Sequence, residues 1–136
     1  MKNKKRIASF RDLEVFQNTY TACIEVMKEI IPKLPESEKY DLKSQLSRSC
    51  KATPRLIVEG YAKRHQKMGF QKYLDDGMAE CNETIVSLSQ ARDIYDHLID
   101  VTLCDSLIDI YDKSGRQLYN LSAAWSKFKR ASNNGR

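Results

Sequence analysis

The sequence predicts an all-α fold, an antiparallel up-down-up-down four-helix bundle, for this chain of 136 residues. Three observations predict it. Apolar residues recur in alternating steps of three and four along four separate stretches, the spacing of a helix seam. Five glycines and three prolines leave little material for turns, so the regular elements must be long. Strand-like alternation is absent, and no repeat of about 20–50 residues stands out.

Each element has its own signals. Residues 1–8 form a basic arm expected to be flexible. Helix 1 is expected from Ser9, where S-F-R-D matches a capping box closed by Asp12. Leu13, Phe16, Tyr20, Cys23, Met27, Ile30 and Leu34 make its seam, and Pro32 and Pro35 end it. Helix 2 is expected from Pro35 or Glu36, with Leu42, Leu46, Cys50, Thr53, Ile57 and Tyr61 inward. Pro54 lies in its middle and removes the hydrogen bond to the carbonyl of Cys50, so a kink is expected there. Gly60 marks a close approach by a neighbour or a weak point. Helix 3 is expected from Lys67 to Tyr95, on the seam Phe70, Leu74, Gly77, Cys81, Thr84, Leu88, Ala91 and Tyr95. Helix 4 is expected from Thr102, where T-L-C-D reads as a second capping box with Asp105. Its seam runs through Cys104, Leu107, Tyr111, Ser114, Leu118, Leu121, Trp125 and Phe128. The bundle domain thus covers residues 9–131, and residues 132–136 are expected to be a disordered tail.

Val15, Val26, Leu56, Val58, Val86, Ile108 and Ile110 fall off these seams. One four-helix core cannot take all of them, so a second buried face, and hence an oligomer, is expected.

Charge is distributed unevenly. Residues 1–68 hold 15 Lys and Arg against 8 Asp and Glu; residues 69–136 hold 8 against 10. The first half is therefore +7 and the second −2, within a net charge of +5. Such asymmetry suits a polyanionic partner on one face. No apolar run approaches the roughly 18 residues that span a membrane, and no signal-peptide core follows the basic start. A cytoplasmic protein without a membrane partner is the expectation. The four cysteines, at 23, 50, 81 and 104, have neither metal-ligand nor redox-motif spacing and read as buried small side chains.

Catalytic and metal signatures are missing. Neither His65 nor His97 belongs to a Glu-x-x-His pair of the kind that di-iron bundles use. Glu80 and Glu83 share a face and suit solvent or a salt bridge to a neighbouring helix. The phosphate-binding loop motif is absent. Asp93, Asp96, Asp100, Asp105, Asp109 and Asp112 lack the spacing of an EF-hand and read as a solvated acidic end. No catalytic residue, metal or cofactor is assigned.

The cationic features remain. Arg48, Lys51 and Arg55 lie at i, i+3 and i+7, within roughly 60° on one face of helix 2. Lys63, Arg64 and Lys67 cluster beyond them, around His65. The arm adds Lys2, Lys4, Lys5 and Arg6, and the end of helix 4 adds Lys127, Lys129 and Arg130. Several cations tracking one surface can follow a phosphate backbone. No sequence-reading module is present, so contacts should go mainly to that backbone.

Three stretches carry a resemblance: F-R-D-L-E-V-F near the start, S-Q-L-S-R-S-C-K-A-T-P-R-L-I-V-E-G in helix 2, and E-C-N-E-T-I-V-S-L in helix 3. Across about residues 10–130 the chain resembles the four-helix-bundle proteins encoded by intervening sequences of bacterial 23S ribosomal RNA genes. That family is similar to the accessory variability determinant of diversity-generating retroelements. The resemblance implies a homopentameric barrel with a basic surface, and nucleic-acid binding rather than catalysis. Arg48, Pro54, Ile57, Glu59 and Gly60 match the family pattern. Ser47 stands where the family often has arginine, and Leu56 where it often has asparagine. Lys51 replaces an apolar residue and Arg55 a small one, so the positive charge is redistributed. Glu59 is expected to pair with a cation across a helix or subunit boundary.

The resulting expectation is a non-catalytic oligomeric bundle that binds RNA or another nucleic acid. The alternative is a structural or adaptor bundle for a protein partner, such as a reverse transcriptase or a ribosomal component. A small enzyme or metal protein with an inward polar site is a third reading.

Overall fold

A computed structural model describes residues 6–66 and 68–134. Lys2, Lys4, Lys5 and Lys67 lie outside the described residues, as do the side chains of Phe128, Lys129 and Arg130 and residues 135–136. Most of the expected arm, residues 1–5, lies outside them too. Among the described residues there are four α-helices and no strand: α1 (Glu14–Glu25), α2 (Leu42–Ala62), α3 (Gln71–Ile94) and α4 (Val101–Asn134). Each helix packs on its neighbour in the chain, and α1 also packs on α4, which closes a ring around one core. The bundle and its all-α class are as the seams predict. The helical backbone of α4 runs past residue 131 to Asn134, into the stretch expected to be disordered.

The seams of α2, α3 and α4 hold. Leu42, Leu46, Cys50, Thr53 and Ile57 are buried, as are Phe70, Leu74, Gly77, Cys81, Thr84, Leu88 and Ala91. On α4, Cys104, Leu107, Tyr111, Ser114 and Leu118 are buried, with Leu121 and Trp125 half-buried. The polar seam residues Thr53 and Thr84 are hydrogen-bonded inside the core. The hydroxyls of Thr84 and Ser49 lie 2.8 Å apart, joining α3 to α2, and Thr53 Oγ1 donates to the Ser49 carbonyl at 3.2 Å. Helix α2 runs through Pro54 without interruption.

The seam of α1 holds at Leu13, Cys23, Ile30 and Leu34, with Phe16 and Met27 half-buried against the core, and needs correction at Tyr20. Tyr20 is 53% exposed, while Val15, Thr19, Ala22 and Val26 are buried. The Ser9 capping box does form, but it closes a 3₁₀ turn at Phe10–Asp12. Leu13 is then extended, and α1 starts at Glu14, so the inward face turns away from the expected heptad. After Glu25 the chain winds as a π-helical turn, Val26–Ile30, with the Ile31 amide bonded to the Val26 carbonyl. That turn takes up an extra residue and brings Ile30 and Leu34 back to the core. Val15 and Val26 are thus core residues and no argument for a second buried face.

Three boundaries also differ. Pro35 is extended and Glu36–Glu38 is a 3₁₀ turn, so α2 starts at Leu42. Glu38 Oε1 accepts from the Leu42 amide at 3.3 Å, and its carboxylate still serves the positive end of the helix. Helix α3 starts at Gln71, after a connection in which Met68 takes a left-handed conformation (φ 63°). Helix α4 is capped by Asp100, whose Oδ1 accepts from the Leu103 amide at 3.0 Å. Thr102 lies inside its first turn, and Asp105 is drawn to Arg92 at 3.0 Å.

Candidate nucleic-acid interface

The cationic stripe of α2 is exposed as its spacing requires, but its members are not equivalent. Arg48 spans to α3. Its Nη1 lies 3.0 and 3.2 Å from the two Glu80 carboxylate oxygens, and its Nη2 donates to Glu83. The two carboxylates raise the pKa of the guanidinium and outnumber its charge, so Arg48 is a clamp between helices. Lys51 and Arg55, one and two turns further on, make no ion pair among the described residues. They are the cations left to meet an anion.

Lys51 and Arg55 stand on a ridge between two open grooves. One, of about 510 Å³, runs toward α3 and is bordered by Asp76 and Glu80, which disfavour a polyanion. The other, of about 690 Å³, opens toward α1 and its N-terminal turn. Its lining combines Arg11, Lys51 and Arg55 with Phe10, Phe16 and Tyr20, and among the described residues it contains no carboxylate.

Local structure places the aromatic wall. The Ser9–Asp12 capping box fixes the turn that carries Phe10 and Arg11. The Phe10 ring meets Phe16 edge-on, with centroids 5.0 Å apart, and Phe16 meets Tyr20 at 5.7 Å, an i,i+4 pair on α1. The Arg11 guanidinium sits 4.6 Å from the Phe10 ring centroid. Pro54 and Val58 of α2 line the same groove, and Cys23 lies against it. Pro54 therefore helps to shape the groove.

The second cationic cluster is engaged locally. Lys63 Nζ donates to the Tyr73 hydroxyl at 2.9 Å, a bond that raises the lysine's pKa. Arg64 donates to the Tyr61 carbonyl at 2.7 Å and lies 3.8 Å from the Tyr61 ring centroid. Lys63 ties the end of α2 to α3, and Arg64 folds back on α2 itself. Arg6 is exposed beside the N-terminal turn. Glu59 is exposed and makes no ion pair among the described residues. Gly60 is buried, and a Cβ there would stand 3.0 Å from Leu74 Cδ2, so the close approach is to α3.

Sequence reasoning missed Arg11, Phe10, Phe16 and Tyr20 as one surface. The available signal was the aromatic spacing beside Arg11, which the heptad reading assigned to the core. Among the described residues, no group of three or more His, Cys, Asp or Glu could hold a metal ion. The acidic end is paired in part: Arg92 bridges Asp93 and Asp105, and Arg116 bonds Asp112. No helix, over the described residues, is long and apolar enough to cross a membrane.

Fold and surface together define a class, a small all-helical bundle bearing an open groove with an aromatic wall and a cationic edge. A model of the 23S rRNA-intervening sequence protein family matches residues 11–120, and the chain belongs to that family. A search of curated proteins and a search of solved structures each found no match.

Proposed function

We propose that the protein is a non-catalytic nucleic-acid-binding bundle that takes single-stranded RNA into the groove between α1 and α2. One observation carries this reading: among the described residues, Lys51 and Arg55 make no ion pair and face a wall of aromatic rings with no carboxylate between them. Cations that track a backbone, with rings on which bases stack, are what a single strand requires. Arg11 and Arg6 extend the cationic edge toward the N-terminus.

The same reading includes a homopentameric, antiparallel bundle in a reducing, cytoplasmic setting. Short connections between packed neighbours support the antiparallel course. Free cysteines suit the compartment. The exposed Val86 and Ile94 of α3 supply apolar area for a subunit contact. Five copies would repeat the groove and multiply its charge. A kinship with accessory determinants of retroelements would make a reverse transcriptase a further partner.

Anisotropy of a labelled single-stranded RNA over a salt series tests the groove. Each phosphate contact contributes about −0.7 to the log–log salt slope. Lys51→Glu with Arg55→Glu should therefore weaken binding and flatten the slope by about 1.4, with helicity kept, since Glu is a good helix former. Arg48→Glu should instead lower the melting temperature, because it sets a third carboxylate beside Glu80 and Glu83. Full salt-dependent affinity in the double variant, at unchanged helicity and mass, would remove the groove as the binding surface. A change of mass before any change of affinity would assign the stripe to a subunit contact.

A further inference from the structure

All four cysteines are free and buried, but two of them meet. Cys23 Sγ of α1 and Cys50 Sγ of α2 are 3.6 Å apart. A disulfide bond is about 2.05 Å long, so the sulfurs need to close by only ~1.5 Å. The pair joins two consecutive helices across 27 positions of sequence. Cys23 is 7% exposed and lines the α1–α2 groove, whereas Cys50 lies behind it at 0%. One thiol is therefore reachable from solvent, and the other stands in position to react with it next.

The surroundings favour Cys23 as the first to ionise. Hydrogen bonding from the Cys50 thiol, aided by Lys51 and Arg55, pulls Cys23 below the ordinary thiol range, against the opposing effect of burial. The same interaction and burial push Cys50 up. Burial pushes Cys81 up to about 12 and Cys104 up to about 11. Neither lines the groove.

We propose that Cys23 and Cys50 form a redox-sensitive pair that a hydroperoxide converts to an intramolecular disulfide between α1 and α2. The Cys23 thiolate attacks one peroxide oxygen; the O–O bond breaks, Cys23 becomes a sulfenic acid, and the leaving alkoxide takes a proton. The Cys50 sulfur then attacks the Cys23 sulfur; the S–O bond breaks and hydroxide leaves as water with the Cys50 proton. Two thiols lose two electrons in total, and the peroxide is reduced to one alcohol and one water. For hydrogen peroxide the products are two waters.

Treatment of the full chain with hydrogen peroxide, followed by non-reducing peptide mapping, tests the pair. The expected product is one peptide linking Cys23 to Cys50, lighter by two hydrogens and split by a thiol reductant, with Cys81 and Cys104 still reduced. Cys50→Ser should let the Cys23 sulfenic acid persist, so that a dimedone-type trap labels it. Cys23→Ser should slow peroxide-dependent thiol loss roughly tenfold. A wild-type map with Cys23 and Cys50 both still reduced, with Cys23 oxidised further and no linkage, or with links through Cys81 or Cys104 would overturn the proposal. The wild-type map decides even if a variant fails to fold.

Discussion

Tyr111 is fully buried on α4, and its hydroxyl has no hydrogen-bond partner among the described residues. Burial raises its pKa, and three of the four thiols, Cys50, Cys23 and Cys81, add to that shift. A buried unpaired hydroxyl costs about 1–3 kcal/mol. Tyr111→Phe keeps the ring and removes the cost, so thermal denaturation should show equal or higher stability, by about 1 kcal/mol. A clear loss would show that the hydroxyl has a partner, with the nearby sulfurs as the candidates. Two glycines make a second contrast. At Gly60 a Cβ would stand 3.0 Å from Leu74 Cδ2 and 3.5 Å from Tyr73 Cβ. Gly60→Leu should cost about 1–3 kcal/mol through overpacking against α3. At Gly115 nothing lies within 4 Å, and Gly115→Ala should stabilise α4 by about 0.5–1 kcal/mol. The two effects, opposite in sign, would be readable in one set of melting curves.

Helices differ in how much of them the sequence discloses. The seams of α2, α3 and α4 were legible because a regular α-helix converts spacing directly into facing. Helix α1 was legible only in part: Leu13, Cys23, Ile30 and Leu34 are buried as expected, but an extended Leu13 and a π turn break the register and leave Tyr20 outside. The start of α4 shows a smaller limit. Thr102 and Asp100 both make plausible caps, and only the chain path shows that Asp100 reaches the Leu103 amide. The interface was half legible for the same reason. Lys51 and Arg55 belong to one helix, so their shared face follows from spacing alone. The capture of Arg48 by Glu80 and Glu83 joins residues 32 and 35 positions apart, and no local pattern encodes it. The aromatic wall joins an N-terminal turn to α1 and faces α2, so it too depends on tertiary contact.

At the scale of the whole molecule, burial of Val15 and Val26 removes part of the sequence argument for assembly. Other apolar side chains still reach solvent, among them Tyr40 at 87%, Tyr119 at 67%, Ile94 at 56% and Val86 at 55%. A subunit contact covering some of these should give a solution mass near five times 15.7 kDa. Light scattering at micromolar concentration measures it, and a monomer would sink the pentamer. The charge asymmetry of the two halves adds a second reading of the same experiment. High salt that dissociates the oligomer would point to ionic contacts between subunits, whereas a salt-insensitive mass would point to the apolar residues.

The π turn at Val26–Ile30 gives α1 one residue of slack. A single-residue deletion within it, at the exposed Lys28 or Glu29, would let the turn rewind as ordinary α-helix with its hydrogen bonding preserved. What the deletion would spare is phase: the turn already absorbs one residue, so the residues after it would keep their facing. Ile30 and Leu34 would stay in their seats, and the corner built on Pro32 and Pro35 would keep its anchorage, so the deletion should leave the melting temperature nearly unchanged, whereas one in the regular turns of α1 should lower it. The slack residue thus works like an expansion joint: the chain can lose it and still meet the helix that carries the cationic edge at the same place.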